Sequence, residues 1–466
     1  MLLAAAARAI INMPLTIHQG GWGAQTHVTP SRIGSDFWLT ALVLSDGKLA
    51  TVIIDMDLGT VNTALGEQLR NAVAQALNIS KHQVRVSATH THAGPVVGRN
   101  TEDAAVGMYI RYLIEQAVSA SLEALRRLVP VTVQAEYGVS YVGKNRRQTL
   151  PDGKVITGYE ESGAADPTVT VVRFGDERGA AVANIVHYAC HPTTLGYTND
   201  IASPDYPGVV KRFVEQTIGG TCLFLQGAAG DIGPGPGGFL DRMDVVQDIG
   251  LSLGCAAAQT LLEAKNKQFS YTFSKVVESG ASLGIWEREL VPSKAPVHQT
   301  VSRCVKLPLK QMEHPDELEK KRDMHQAELN RLRAVQASDE ELRSCTFQYK
   351  RANLILGIAK KFYGQSEADI EVQIIQIGEI AMIGVPLEPF SAIGVQIREQ
   401  SPFRYTMVSG YTNGSNGYLP TADEFPRGGY EPWYSAFAPD AADKLVAQIV
   451  GLLHEMRAKH SPNEGV

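Results

Sequence analysis

The stretch Ser87-Ala88-Thr89-His90-Thr91-His92-Ala93-Gly94-Pro95 decides how the chain is read. A β-type run, Val84-Arg85-Val86, leads into it, and Gly94 and Pro95 stop any regular element after it. Side chains on a strand alternate with period two, so His90 and His92 share a face. If the strand closes near Ala88, both imidazoles sit at its C-terminal edge, where open α/β sheets gather their ligands. Two adjacent imidazoles suit a divalent metal, or one ligand beside one proton carrier. An isolated His-x-His pair suits a polar turn equally well, so the rest of the chain has to choose.

Working upstream, the apolar runs 39–44 and 50–54 flank Ser45-Asp46-Gly47-Lys48 and predict a hairpin. Asn62 or Thr63 can cap a helix to about Leu77, with Leu65, Leu69, Val73 and Leu77 on one face. Strand, helix and His-Thr-His strand together predict a parallel βαβ unit. Downstream, a long amphipathic helix fits 102–128, and strands fit 131–135, 168–174 and 180–187. The last of these runs into Tyr188-Ala189-Cys190-His191-Pro192, so His191, like His90, lies just past an apolar strand. A helix over 206–218 and a short strand over 222–225 follow, then a loop rich in glycine, 226–238, and a helix over 241–264. That loop lets backbone approach a ligand closely, but it lacks the Lys-Ser/Thr ending of a P-loop.

Residues 292–366 change character. Two charged helices, about 312–336 and 339–362, predict a helical insertion laid over the core. Strands at 374–377, 380–385 and 407–410 return the chain to the sheet pattern, and the second ends in Pro386-Leu387-Glu388-Pro389. A polar aromatic loop, 411–421, Gly428-Gly429-Tyr430-Glu431 and a helix over 438–460 complete the chain. No internal repeat or low-complexity linker is visible. The expectation is one α/β domain over 1–466, with mixed, largely parallel central sheets flanked by helices and the 292–366 insertion within it.

The net charge of −6, with 44% hydrophobic and 20% charged residues and no basic block, describes a globular protein without a nucleic-acid partner. Cys190, Cys222, Cys255, Cys304 and Cys345 are odd in number and show no CxxC spacing, which reads as free thiols in a reducing compartment. The apolar start is broken by Arg8 and runs into Ile10-Ile11, so it reads as a first strand rather than a signal peptide. No stretch approaches the roughly 18 apolar residues of a membrane span. A cytoplasmic protein acting on a small molecule, without a stable membrane anchor, is expected; a homo-oligomer is left open.

Four strand ends carry polar groups of related type: His90/His92, His191, Glu388 and the Tyr418 loop. Glu388 stands in rigid backbone between Pro386 and Pro389, a poor place for a carboxylate that only adds solubility. Two imidazoles and a carboxylate make a catalytic zinc set with room for water.

At this point four segments resemble the catalytic domain of the neutral (alkaline, non-lysosomal) ceramidases. They are 88–95, His191-Pro192-Thr193-Thr194, 377–388, and 410–413 through Tyr418 to Tyr430. Asp166-Pro167, Ser203-Pro204-Asp205 and Gly227-Ala228-Ala229-Gly230-Asp231 look like further landmarks. The resemblance implies that family's catalytic-domain fold and one Zn2+ held by His90, His191, Glu388 and Tyr418. His92 is then left to face substrate, and Arg146 and Tyr430 face the reacting carbonyl. Arg147 is an equally basic neighbour, and Asp57 is either a partner for a ligand imidazole or a turn carboxylate. Asp231, where ceramidases carry Asn, is open in the same way. The implied activity is hydrolysis of an amide by zinc-activated water. No counterpart of the family's C-terminal β-sandwich is expected, and nothing advertises a lipid groove, so a soluble, non-ceramide substrate is expected. The alternatives are a zinc hydrolase acting on an ester, lactone or glycosidic bond, and a binding protein without catalysis.

Overall fold

Three stretches of the chain run through the same series of elements. The structure, a computed structural model, describes residues 1–25, 27–97, 103–291 and 295–459. The first unit comprises β1 (Leu3–Ile10), β2 (Trp38–Ser45), β3 (Ala50–Met56), α1 (Thr63–Leu77), β4 (Val84–Ala88) and α2 (Ala104–Arg126). The second comprises β5 (Thr132–Val139), β6 (Thr168–Gly175), β7 (Ala181–Tyr188), α3 (Tyr206–Ile218), β8 (Thr221–Gln226) and α4 (Met243–Asn266). A hairpin, β9 (Phe269–Glu278) with β10 (Ser282–Leu290), separates it from the third. The third unit opens with β11 (His298–Pro308), makes the detour α5 (Pro315–Ala334) and α6 (Asp339–Phe362), and continues with β12 (Glu367–Ile377) and β13 (Ile380–Gly384). It ends with α7 (Ser391–Gln400), β14 (Tyr405–Ser409) and α8 (Ala441–Ala458).

In every unit the first three strands pair antiparallel in succession and the fourth lies parallel to the third. The first, third and fourth strands therefore point the same way, and their C-terminal ends share one edge of each sheet. The mixed α/β class is as expected, but each large sheet contains a single parallel pair. The threefold recurrence corrects the expectation of no internal repeat. It also fixes the layering. One face of all three sheets packs into a common centre, with Leu42, Leu44 and Ile53 from the first, Phe174, Ile185 and Leu225 from the second, and Ile375, Met382 and Met407 from the third. The intervening residues face outward beneath that unit's helices, as Val43, Val52 and Ile54 do under Leu69, Val73 and Leu113. Strict alternation between two apolar surfaces explains why these strands are hydrophobic throughout.

Local signals behave as the sequence suggests. The Asn62 side chain caps α1 by accepting from the Leu65 N–H. Pro207 sits in the first turn of α3. Of the stretch 292–366, residues 292–294 lie outside the described residues, and 298–308 correct the helical reading. They form β11, an edge strand paired with β12 from His298↔Ile377 to Pro308↔Glu367. Its Val305 and Leu307 are buried while Arg303 and Cys304 face solvent, the pattern of an edge strand rather than an insertion. The helical detour is α5–α6 alone. Among the described residues one helix, α4, is by length and composition apolar enough to cross a membrane, contrary to the expectation that none is; its Leu253, Ala257 and Leu261 pack on the second sheet. All five cysteines are free.

Candidate metal centre

The ends of strands from all three units meet over one small buried space. After β4 the chain turns sharply, with His90 at φ +72°. Its Nδ1 lies 2.5 Å from the Gly59 carbonyl, in the loop after β3. After β7, His191 Nδ1 lies 2.5 Å from the Ala229 carbonyl, in the loop after β8. A carbonyl oxygen only accepts, so Nδ1 carries the proton in both rings. Burial holds both imidazoles well below their ordinary pKa, so they are neutral and each Nε2 presents a bare lone pair. This carbonyl-to-imidazole arrangement is how proteins orient histidines toward a metal.

Glu388 comes from the loop after β13. There Glu388–Pro389 pairs in parallel with Tyr418–Leu419, which sets Glu388 and Tyr418 at neighbouring positions of one register. Glu388 Oε2 lies 3.6 Å from His90 Nε2 and 3.5 Å from His191 Nε2. Neither Glu388 Oε2 nor His191 Nε2 has a hydrogen-bond partner, although both are buried. His92 Nε2 is 3.3 Å from His90 Nε2, and burial takes the His92 pKa down to about 4. The three imidazoles offer ligand atoms within 4.8 Å of one another and form a group able to hold a metal ion. Orphaned, convergent and neutral donors with one carboxylate are the chemistry a divalent cation satisfies.

The structure brings the remaining expected residues to the same place. Arg146 Nη2 donates to the Tyr418 hydroxyl at 3.1 Å, and Arg146 Nε donates to Glu431 at 3.0 Å. Burial works against the Arg146 charge, but Tyr418 and Glu431 more than offset it. Arg147 bonds to Glu424, to the same Glu431 and to the Gly428 carbonyl, while Arg146 is the arginine that reaches the Tyr418 hydroxyl. The Tyr430 ring stands 5.7 Å from that of Tyr418 and is partly exposed.

Asp57 does not touch a site imidazole. It accepts from the Trp38 N–H at 2.9 Å and from Lys211 at 2.6 Å, a structural role. Asp231 accepts from the backbone and hydroxyl of Ser391 at 2.7 and 3.0 Å and so ties the glycine loop to the start of α7. Sequence reasoning missed three contributors. Tyr411 stacks on His90 at 3.9 Å, Glu431 holds both arginines, and Trp22 packs on His92 at 4.8 Å. Glu431 had a signal, an acid directly after Tyr430 facing an Arg-Arg pair; Trp22, far away in the chain, had none.

No family model matches the chain. It is 24% identical over 444 residues to the neutral ceramidase of Pseudomonas aeruginosa, covering 86% of this chain and 64% of that protein. With the neutral ceramidase of Mycobacterium tuberculosis it shares 24% identity over 218 residues, 42% of this chain and 33% of the relative. The chain is a homologue of the neutral ceramidases. Among solved structures, the crystal structure of the Pseudomonas aeruginosa neutral ceramidase superposes with a TM-score of 0.70 at 19% identity, covering 98% of this chain and 75% of that one. A ceramidase complexed with C2 superposes with a TM-score of 0.69 at 17% identity, covering 100% and 76%. The ceramidase fold therefore extends over the whole homologue. The homologue in turn spans less than two thirds of the length of either curated relative.

Proposed function

We propose that the chain is a zinc-dependent hydrolase that cleaves an amide bond in a small soluble substrate other than ceramide. The observation that carries this reading is the pair of buried, partnerless atoms, His191 Nε2 and Glu388 Oε2, facing each other across 3.5 Å beside His90. His90, His191, Glu388 and the Tyr418 hydroxyl would hold the ion. When bound, zinc would lower the pKa of a coordinated water to about 7 and polarise a substrate carbonyl.

The chain's own groups account for the other requirements. Arg146, already fixed by Glu431, can donate to the oxygen that gains charge as the carbonyl is attacked, with no reorganisation at that moment. The Tyr430 hydroxyl can give that oxygen a second hydrogen bond. His92, neutral and at the solvent side of the cluster, can pass a proton to the departing nitrogen. The same reading places the protein in the cytoplasm, acting on a small molecule without nucleic acid or a stable membrane anchor.

The test combines metal analysis with a substrate panel. The purified protein is expected to carry about one zinc per chain and to release a free amine from N-acyl compounds, and His191→Ala should lose both. Release of an alcohol or sugar instead of an amine would shift the reading to the ester, lactone or glycosidic alternative. Absence of bound zinc, or a His191→Ala protein that keeps metal and turnover, would end it.

A further inference from the structure

Within each unit the first strand points toward the edge that carries the site, so its connection to the second strand emerges there too. In the first unit that connection carries Trp22, packed on His92. In the second it carries Arg146, bonded to Tyr418. In the third unit the same connection is the α5–α6 hairpin. The two helices pack on each other through Leu329, Leu332 and Cys345 at one end and Leu318, Leu356 and Ala359 at the other.

Three basic residues of α6 reach three segments beside the site, two loops and the short helix Tyr430–Tyr434. Lys350 Nζ donates to the Gly23 carbonyl at 2.6 Å and the Gln25 carbonyl at 3.2 Å, next to Trp22. Lys361 Nζ donates to Asn416 Oδ1 at 2.7 Å and the Ser415 carbonyl at 3.2 Å, next to Tyr418. The Arg351 guanidinium stacks 3.7 Å over Trp433, whose ring is 6.3 Å from Tyr430. The rings beside these contacts pack on one another: Trp22 stands edge-on to Phe239, and Tyr434 stacks with both Tyr430 and Trp433. Among the described residues no carboxylate pairs with Arg351. Its planar fork, already oriented by an aromatic face, is suited to receive an anion.

We infer that α6 is the specificity element of the site and that Arg351 receives an anionic group at the far end of the substrate. Arg351 is several ring contacts removed from Tyr418, so the anion sits well away from the scissile bond. The preferred substrate is an elongated amide whose distal end carries a carboxylate or similar anion, rather than a neutral N-acyl lipid. Hydrolysis adds water across the carbon–nitrogen bond: the acyl carbon takes the hydroxyl, the nitrogen takes the proton and leaves as amine. This inference rests on the amide-hydrolase reading, while Arg351 takes no part in bond cleavage.

The test uses p-nitroanilides of dicarboxylic acids of six to ten carbons beside those of the matching monocarboxylic acids. The wild-type protein should favour the dicarboxylic series in kcat/KM. Arg351→Ala should reduce that preference about tenfold, mainly through KM, and Arg351→Lys should retain part of it. Binding of suberate to metal-free protein, followed by tryptophan fluorescence in a Trp286→Phe background, should weaken about tenfold in Arg351→Ala. A wild-type protein without the preference, or an Arg351→Ala protein that keeps it within twofold, overturns the inference. Should no anilide be cleaved while suberate binding still depends on Arg351, the anion site stands and the hydrolase reading falls. Should suberate fail to bind at all, the anion site falls whatever the protein hydrolyses.

Discussion

Replacing Glu388 by glutamine should change stability with opposite signs in the metal-free and zinc-loaded protein. Glu388 Oε2 is buried without a hydrogen bond from the protein and faces two neutral imidazoles. Glu388→Gln keeps the side-chain volume and removes the charge, so the metal-free variant should gain about 1 kcal/mol, the low end of the cost of a buried unsatisfied group. With zinc the wild type gains what binding to the native state alone provides, about 2.7 kcal/mol at free metal a hundredfold above Kd. A chain of 466 residues unfolds with an entropy near 1 kcal/mol/K, so these figures become a rise of about 1 °C for the metal-free variant and about 3 °C for the loaded wild type. At the same free zinc the variant should move by less than about 0.5 °C, because a hundredfold weaker Kd leaves almost no linkage. Thermal unfolding of chelator-treated protein, repeated in a zinc buffer, reads all four values. A wild type that does not shift with zinc, or a variant that shifts as much as the wild type, would refute the convergence of Glu388 and the imidazoles on a shared ion.

Other perturbations probe the frame around the site. Lys211→Met should cost about 3–5 kcal/mol in urea unfolding, because it leaves Asp55 and Asp57 fully buried without their cation; adding Asp55→Asn should recover part of the loss. Gly230→Ala should weaken zinc binding about tenfold and cost about 2 kcal/mol by calorimetry, since a Cβ there would stand 2.6 Å from the Glu388 carbonyl and 3.0 Å from that of Pro389. Burial alone would raise the Glu371 pKa, but the hydrogen bonds and charge of Arg70, with Ser302, hold it at about 2. The folded pKa is the depressed one, so this stabilisation is present above about pH 4.5 and fades as pH falls toward 2. Glu371→Gln should therefore flatten the acid limb of stability by about 1–2 kcal/mol, allowing for solvent screening at this partly exposed pair.

What the sequence reveals and what it hides divide along physical lines. Helices and parallel-strand ends are legible because they depend on local signals. The Asn62 cap, the hairpin turn at 45–48 and the apolar runs ending near Ala88, Tyr188 and Gly384 place His90, His191 and Glu388 at one kind of location. The meeting of those locations is not local, and its pattern becomes visible only through the family likeness. β11 escapes because its exposed side is as polar as a surface helix, and only the burial of Val305 and Leu307 betrays period two. The hairpin β9–β10 carries alternating aromatics, Phe269, Tyr271 and Phe273, and a Ser279-Gly280 turn. It is nonetheless largely exposed on both strands, so no apolar and polar face could be told apart by burial. The threefold repeat escapes because the sheets constrain only hydrophobicity, which many sequences satisfy, while the connections that distinguish the units differ in length and composition.

The repeat also accounts for how the site is oriented. In the first unit the imidazole comes from the loop after the fourth strand and the carbonyl that aims it, Gly59, from the loop after the third. In the second unit the roles are exchanged: His191 follows the third strand and Ala229, its carbonyl partner, follows the fourth. Because the third and fourth strands are parallel neighbours in every unit, their two following loops always emerge side by side, and either can present the ring to the other. In the third unit the same two loops supply Glu388 and Tyr418, zipped together as a two-residue parallel pair. Asp57 holds the corresponding third-strand position in the first unit, yet it pairs with Lys211 of α3 and so fastens the first unit to the second instead of facing the centre. A charge at a strand end thus becomes a candidate ligand or a structural tie according to whether the neighbouring unit sets a cation against it. That choice lies in α3, more than 150 residues away, where no reading of the strand end could find it.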